Sequence, residues 1–183
     1  NTTVNALKQA IAEAAARLDA ELEFARAIQL SALPRLFPPF PDRRDFEIYA
    51  SMDAAREVGG DFYDFFMVGD NRIVMLVADV SGKGIPAAMF MMTAKTMLKN
   101  LASAGHSPAE VLTLANRYLC QNNEASMFVT VFLAQLQLDT GKLIAASAGH
   151  NPPLLARTGA TYEFMKCKPE LVLAAMEDVV YTE

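Results

Sequence analysis

Over the first thirty or so residues the apolar positions recur in steps of three and four. Val4, Leu7, Ile11, Ala14 and Leu18 form a heptad seam. The stretch holds no glycine or proline and is rich in strong helix formers. At Leu22 and Ala25 the order of the steps changes, as when four residues are inserted into a heptad repeat. The pattern predicts a helical linker over 1–33, which either lies along its own domain or pairs with a second copy in a dimer; pairing is the preferred reading. Pro34, Pro38, Pro39 and Pro41 then end the helix and make 34–44 a stiff connector.

From residue 45 the period shortens to two. Residues 46–50 alternate as a strand does, and residues 56–84 hold two apolar runs separated by Gly69-Asp70-Asn71-Arg72, a chain-reversing cluster. These runs predict an antiparallel hairpin. Pro86 suits the first residue of a helix that continues to about Ala102, with Gly105 as its stop. Met89, Met91, Met92 and Met97 in it are expected to fill core gaps. Ser107-Pro108-Ala109-Glu110 has capping-box spacing and starts a second helix, ending near Cys120. Residues 127–138 are apolar on both parities, as in a buried strand; 139–142 make a turn and 143–148 return. Short strands at 154–156 and 161–165 follow, and 171–183 is expected to add one more strand or edge segment. Strands, two adjacent helices, then strands again give an α+β fold built on antiparallel sheet.

Two acidic residues stand out in this layout. Asp61 opens the first run of the hairpin and Asp79 closes the second, so pairing places both at one edge of the sheet. Neighbouring carboxylates repel, and keeping both ionised calls for a cation; oxygen ligands suit magnesium or manganese. The alternative is two strand-end aspartates facing water. Gly59 and Gly60 allow close backbone approach at Asp61, and Gly82 and Gly84 free the loop after Asp79 from side-chain bulk. Arg56 is either solvated or, beside a metal, able to grip a phosphate with its fork of donors. His150, between Gly149 and two prolines, is expected to be a structural or exposed loop histidine. Ser81-Gly82-Lys83-Gly84 is not a P-loop: Val77 stands where the first glycine belongs, and Gly84 follows the lysine in place of Ser or Thr.

Composition narrows the classes further. The 183 residues fit one domain with a small appendage, and 52% hydrophobic content supports a sizeable core. A net charge of −5 argues against nucleic acid as partner. Two cysteines far apart and two histidines disfavour zinc and disulfides and suit a reducing cytoplasm. There is no signal peptide and no apolar run of spanning length. A start without methionine suggests a fragment of a longer protein, which an upstream segment could anchor to a membrane.

Four separated stretches, AREVGGDFYDFF, VADVSGKGIPAAMFM, MFVTVFLAQLQLDTGKL and AASAGHNPPLL, together resemble the SpoIIE/RsbU-type serine/threonine phosphatases, a bacterial branch of the protein phosphatase 2C superfamily. LDAELEFARAIQLSALPRLFP is similar to the lead-in that such domains carry after a sensor or receiver module. The resemblance implies a four-layer α-β-β-α sandwich of two antiparallel sheets flanked by helices, preceded by the linker helix, with 45–183 as the phosphatase domain. It also implies two Mn²⁺ or Mg²⁺ ions that activate a bridging water for attack on phosphoserine or phosphothreonine. Asp61 and Asp79 match metal-binding aspartates, Asp79 as the bridging ligand, the Val80 carbonyl takes a further position, and Arg56 matches a phosphate-contacting arginine. Gly149-His150-Asn151 matches a loop near the metal centre, with no catalytic role implied for His150. The implied substrate is a STAS-type anti-anti-sigma factor, with regulation through the N-terminal helix in a homodimer. A Thr-Asp-Gly strand and a later metal aspartate of the family have no match before Glu183. The domain is therefore expected to be truncated at its C-terminus, to hold metal weakly, and to be inactive or nearly so while its parent is a phosphatase. The alternative is a catalytically inactive scaffold of the same fold that sequesters a signalling partner.

Overall fold

The structure is a computed structural model that describes residues 2–53, 58–121 and 123–183. Helix α1 (Thr2–Ser31) precedes strands β1 (Phe62–Met67) and β2 (Arg72–Val80), helices α2 (Gly84–Ser103) and α3 (Pro108–Gln121), and strands β3 (Val129–Gln137), β4 (Leu143–Ala148), β5 (Leu154–Leu155) and β6 (Glu163–Phe164). The fold is α+β with two antiparallel sheets and three helices, the first at the N-terminus. One sheet is a four-stranded meander in the order β1-β2-β3-β4, and β5 and β6 form a separate pair. Among the described residues no helix is long and apolar enough to cross a membrane.

Side-chain parity explains how the sheet is covered. Phe62 pairs with Ala78 and Asp64 with Leu76, while Ala78 pairs with Val131 and Leu76 with Leu133. Residues at these registers share one face, and α2 and α3 cover it. Helix α2 buries Ala87, Met91, Ala94, Leu98 and Ala102, and α3 buries Val111, Leu112, Ala115 and Leu119. Their spacings of three and four give each helix one apolar face. Each fully buried Leu, Met or Val contributes about 1.5–3 kcal/mol from removal of apolar surface.

Among the described residues Asp64 is the one buried carboxylate on that covered face. Its side chain is 0% exposed, and Lys95 of α2, at 7%, approaches it to 2.5 Å, with Lys99 at 3.6 Å. Strand and helix are thereby tied by charge inside the core.

On the opposite face the β1 end is covered by the proline-rich connector, while Phe132 and Ala134 of β3 are buried there as well. The Phe37 and Phe40 rings lie 5.9 and 6.2 Å from Phe65, and the Tyr63 hydroxyl donates to the Pro34 carbonyl at 2.6 Å. Farther along, Val77 and Phe132 line an apolar groove of about 380 Å³ with Leu154, Leu155 and Met165 across it.

Three expectations from the sequence need correction. Residues 46–50 form no strand: Ile48 and Ala50 pack on the core, and the segment pairs with no strand among the described residues. The final segment pairs only at Leu173, which bridges Val129 through bonds of 2.9 and 3.1 Å. Beyond it, the buried Asn116 side chain of α3 takes the place of a strand, accepting from the Ala174 N–H and donating to the Met176 and Glu177 carbonyls. Helix α2 begins at Gly84, one turn-half before Pro86, with Lys83 in extended conformation as its cap.

Helix α1 changes partners along its length. Val4, Leu7, Ile11 and Leu18 are all more than half exposed, whereas Leu22 and Ala25 are half-buried and Gln29 is buried. The stripe therefore faces solvent before the step change at Leu22 and its own domain after it.

Truncation of the buried cation tests the core. Lys95→Ala leaves Asp64 with the Phe65 N–H as donor and the half-exposed Lys99 as cation, and should lower unfolding stability by about 3 kcal/mol. The paired change Asp64→Leu with Lys95→Met should cost much less in urea denaturation. Equal losses in the two would contradict the role given to the ion pair.

Candidate active site

The β1–β2 register, carried one step beyond Phe62↔Ala78, sets Asp61 opposite Asp79. The expected meeting of these carboxylates at one sheet edge is found, with the two side chains within hydrogen-bonding reach. Both are exposed, on the face that α2 and α3 leave uncovered, and they line an open cleft of about 540 Å³. Burial, and then the neighbouring Asp79, raise the Asp61 carboxyl above the ordinary carboxylate range, and His150 opposes that shift.

Glycine sets the geometry of the edge. A Cβ on Gly60 would lie 2.7 Å from the Val80 carbonyl oxygen and 2.9 Å from its Cβ, so the chain beside Asp61 closes on Val80 only without a side chain. Just before it, Gly59 is held by Gln29 of α1. The Gln29 amide donates to the Gly59 carbonyl at 2.7 Å and accepts from its N–H at 3.1 Å. After Asp79, Gly82 and Gly84 take φ of +88° and +70°, turning the chain through the exposed Lys83 into α2.

Two side chains join the pair: Thr130, which the sequence did not single out, and His150, whose loop the family resemblance set near the metal centre without giving the ring a role. Thr130 on β3 is the cross-strand partner of Asp79 and lines the cleft. His150 lies with its Nδ1 2.8 Å from the Thr130 hydroxyl and near enough to Asp61 for the charges to interact. Burial lowers the His150 pKa and Asp61 works against it. Strand parity could have flagged Thr130 had the β2–β3 register been known. Arg56 lies outside the described residues.

The residues present suit a hard divalent cation in part. Asp61, Asp79 and the Val80 carbonyl are oxygen donors, and the missing Cβ at Gly60 leaves room beside that carbonyl. Six ligands are needed for magnesium, and among the described residues no group of three or more His, Cys, Asp and Glu is placed to hold a metal.

With this arrangement established, comparison with known proteins places the chain. The family model described as Stage II sporulation protein E (SpoIIE) matches residues 69–183. The chain belongs to the SpoIIE family. The phosphoserine phosphatase RsbU of Bacillus subtilis is 34% identical over 167 residues, which cover 91% of this chain and 48% of RsbU. Among solved structures, the SiaA-PP2C domain of Pseudomonas aeruginosa matches with a TM-score of 0.71 at 22% identity, covering 92% of this chain and 66% of that one. The RsbU and RsbW domains of Rv1364c from Mycobacterium tuberculosis match with a TM-score of 0.61 at 29% identity, over 73% of this chain and 36% of theirs. The fold of this SpoIIE-family chain is thus that of the PP2C domain, and the chain spans about half the length of RsbU.

The raised Asp61 carboxyl has a consequence with a definite sign. In metal-free protein it binds its proton more tightly folded than unfolded, so it favours folding below the unfolded value near pH 4 and loses that contribution as pH rises through the folded value. Asp61→Asn should therefore raise the EDTA-treated melting temperature at pH 7, by about 2 °C, and the gain should vanish near pH 4. A gain that grows on acidification would contradict the assignment.

Proposed function

We propose that the protein carrying this chain hydrolyses phosphoserine or phosphothreonine on a signalling protein, using Mn²⁺ or Mg²⁺. The observation that carries this reading is the juxtaposition of Asp61 and Asp79 beside the Val80 carbonyl, at the mouth of an open cleft. Open access suits a phosphorylated side chain on a folded partner. Asp61, Asp79 and the Val80 carbonyl would hold the metal, with Asp79 shared between two ions and Arg56 contacting the phosphate. Bound there, such ions would polarise a phosphoryl oxygen and make water a competent nucleophile at neutral pH. The chain's own part is to fix the two carboxylates at one edge, through the strand register and the Gly60–Val80 contact. A STAS-type anti-anti-sigma factor is the substrate proposed, in the cytoplasm.

Regulation through the N-terminal helix fits the same geometry. Gln29 grips Gly59 two residues before Asp61, and the exposed stripe from Val4 to Leu18 would pair with a second copy. A change in that pairing would move Gln29 and, with it, the segment that delivers Asp61. The second reading is a scaffold of this fold that binds its partner without turning it over. The incomplete set of acidic ligands among the described residues favours it for this chain by itself.

The experiment is p-nitrophenyl phosphate hydrolysis with millimolar Mn²⁺, in this chain and in the full-length protein. Turnover is expected in the full-length protein and little or none in the chain alone. Asp79→Asn should lower kcat/KM by about 100-fold or more, the scale of losing a principal charge-stabilising group. Gln29→Ala should lower turnover about five-fold with an unchanged Mn²⁺ requirement, the lower end of a coupling free energy. A full-length protein that binds its partner yet shows no Mn²⁺-dependent turnover, with or without Asp79, would establish the scaffold instead.

A further inference from the structure

The Thr130–His150 pair has no place in the metal-ligand set, yet several independent restraints deliver it to the cleft. Thr130 is fixed by its pairing with Asp79 across β2 and β3. His150 comes from the loop after β4. Gly149 bridges Val131 in parallel and takes φ of +65°, and a Cβ on it would lie 2.6 Å from Val172 Cγ1. The Ser147 hydroxyl donates to the His150 carbonyl at 3.3 Å. A loop held at three points sets the ring with Nδ1 2.8 Å from Thr130 Oγ1, beside Asp61.

This contact decides which ring nitrogen is left over. A hydroxyl that donates to Nδ1 selects the tautomer whose single proton sits on Nε2. Among the described residues no hydrogen bond engages Nε2. With the Thr130 hydroxyl as donor in this contact, the pair presents one oriented N–H, on Nε2, beside two carboxylates that only accept once ionised. A phosphate monoester brought to a carboxylate-held metal needs donors for its remaining oxygens, and the aspartates cannot supply them.

We propose that His150 Nε2–H donates a hydrogen bond to a phosphate oxygen of the substrate, with Thr130 as the residue that positions it. The assignment rests on the phosphatase reading for its substrate, but its test does not rest on turnover alone. Asparagine and glutamine separate the two ring positions: glutamine reaches where Nε2 was, and asparagine only where Nδ1 was.

Inorganic phosphate is titrated calorimetrically into the full-length protein with Mn²⁺ present, and Mn²⁺ affinity and unfolding midpoint are measured in each variant. His150→Ala and His150→Asn should weaken phosphate binding about ten-fold, the size of a hydrogen bond to a charged group. His150→Gln should stay within about three-fold of wild type. Thr130→Val should fall between, and Thr130→Ser should restore binding, all with unchanged Mn²⁺ affinity. Phosphate binding that ignores every His150 variant overturns the proposal, and so does an equal loss in Asn and Gln or a loss that tracks Mn²⁺ affinity. Mn²⁺-dependent turnover with insensitive phosphate binding would sink this proposal and leave the phosphatase standing. Phosphate binding that follows the series without any turnover would do the reverse.

Discussion

Two carboxylates facing each other across a strand edge are unfavourable unless something fixes them there, and here the core does so. Val74, Leu76, Ala78 and Val80 are all buried. Because strand side chains alternate, burying this set beneath α2 and α3 forces Asp79 to the opposite face. A slip of one residue would drive Asp79 into the helices and expose the core set. The same parity in β1 buries Phe62 and sends Asp61 outward, and in β3 it buries Val129 and Val131 and sends Thr130 outward. The site is thus held by the cost of unburying the sheet's other face. Gly60 adds the close contact with Val80 that no larger residue permits.

The N-terminal helix meets this frame at one point. Its apolar stripe is exposed to Leu18 and docks on the domain from Leu22, so the inserted step marks where it passes from solvent to core. At the docked end the stripe position is filled by Gln29, a polar side chain 5% exposed whose amide satisfies both polar groups of Gly59. Burying an amide costs free energy unless each end is bonded, and this placement of the helix bonds both. That makes the helix position and the Asp61 segment depend on each other.

Much of this was legible in the residues. The hairpin followed from two apolar runs around a polar turn, and its ends located Asp61 and Asp79 together without knowledge of the fold. The two helices followed from their caps and spacing. What escaped depends on contacts distant in sequence. Thr130 meets the aspartates through the β2–β3 register, which no local pattern encodes. The Gly149-His150-Asn151 motif resembles a loop near the metal centre, but the contact of its ring with Thr130 depends on the Gly149 bridge. The tail read as a strand or edge segment because its residues suit one, while side chains, the buried Asn116 foremost, satisfy much of its backbone instead. Gln29 was hidden because it is a polar residue at the end of an apolar seam.

The central claim is that Asp61 and Asp79 form an oxygen-donor site for a divalent cation. Electron paramagnetic resonance of Mn²⁺ titrated into the full-length protein reads that directly, with no substrate present. The account predicts bound Mn²⁺ in the wild type, lost when either Asp61→Asn or Asp79→Asn is introduced. Mn²⁺ binding that survives both substitutions unchanged would place the metal elsewhere and contradict the account.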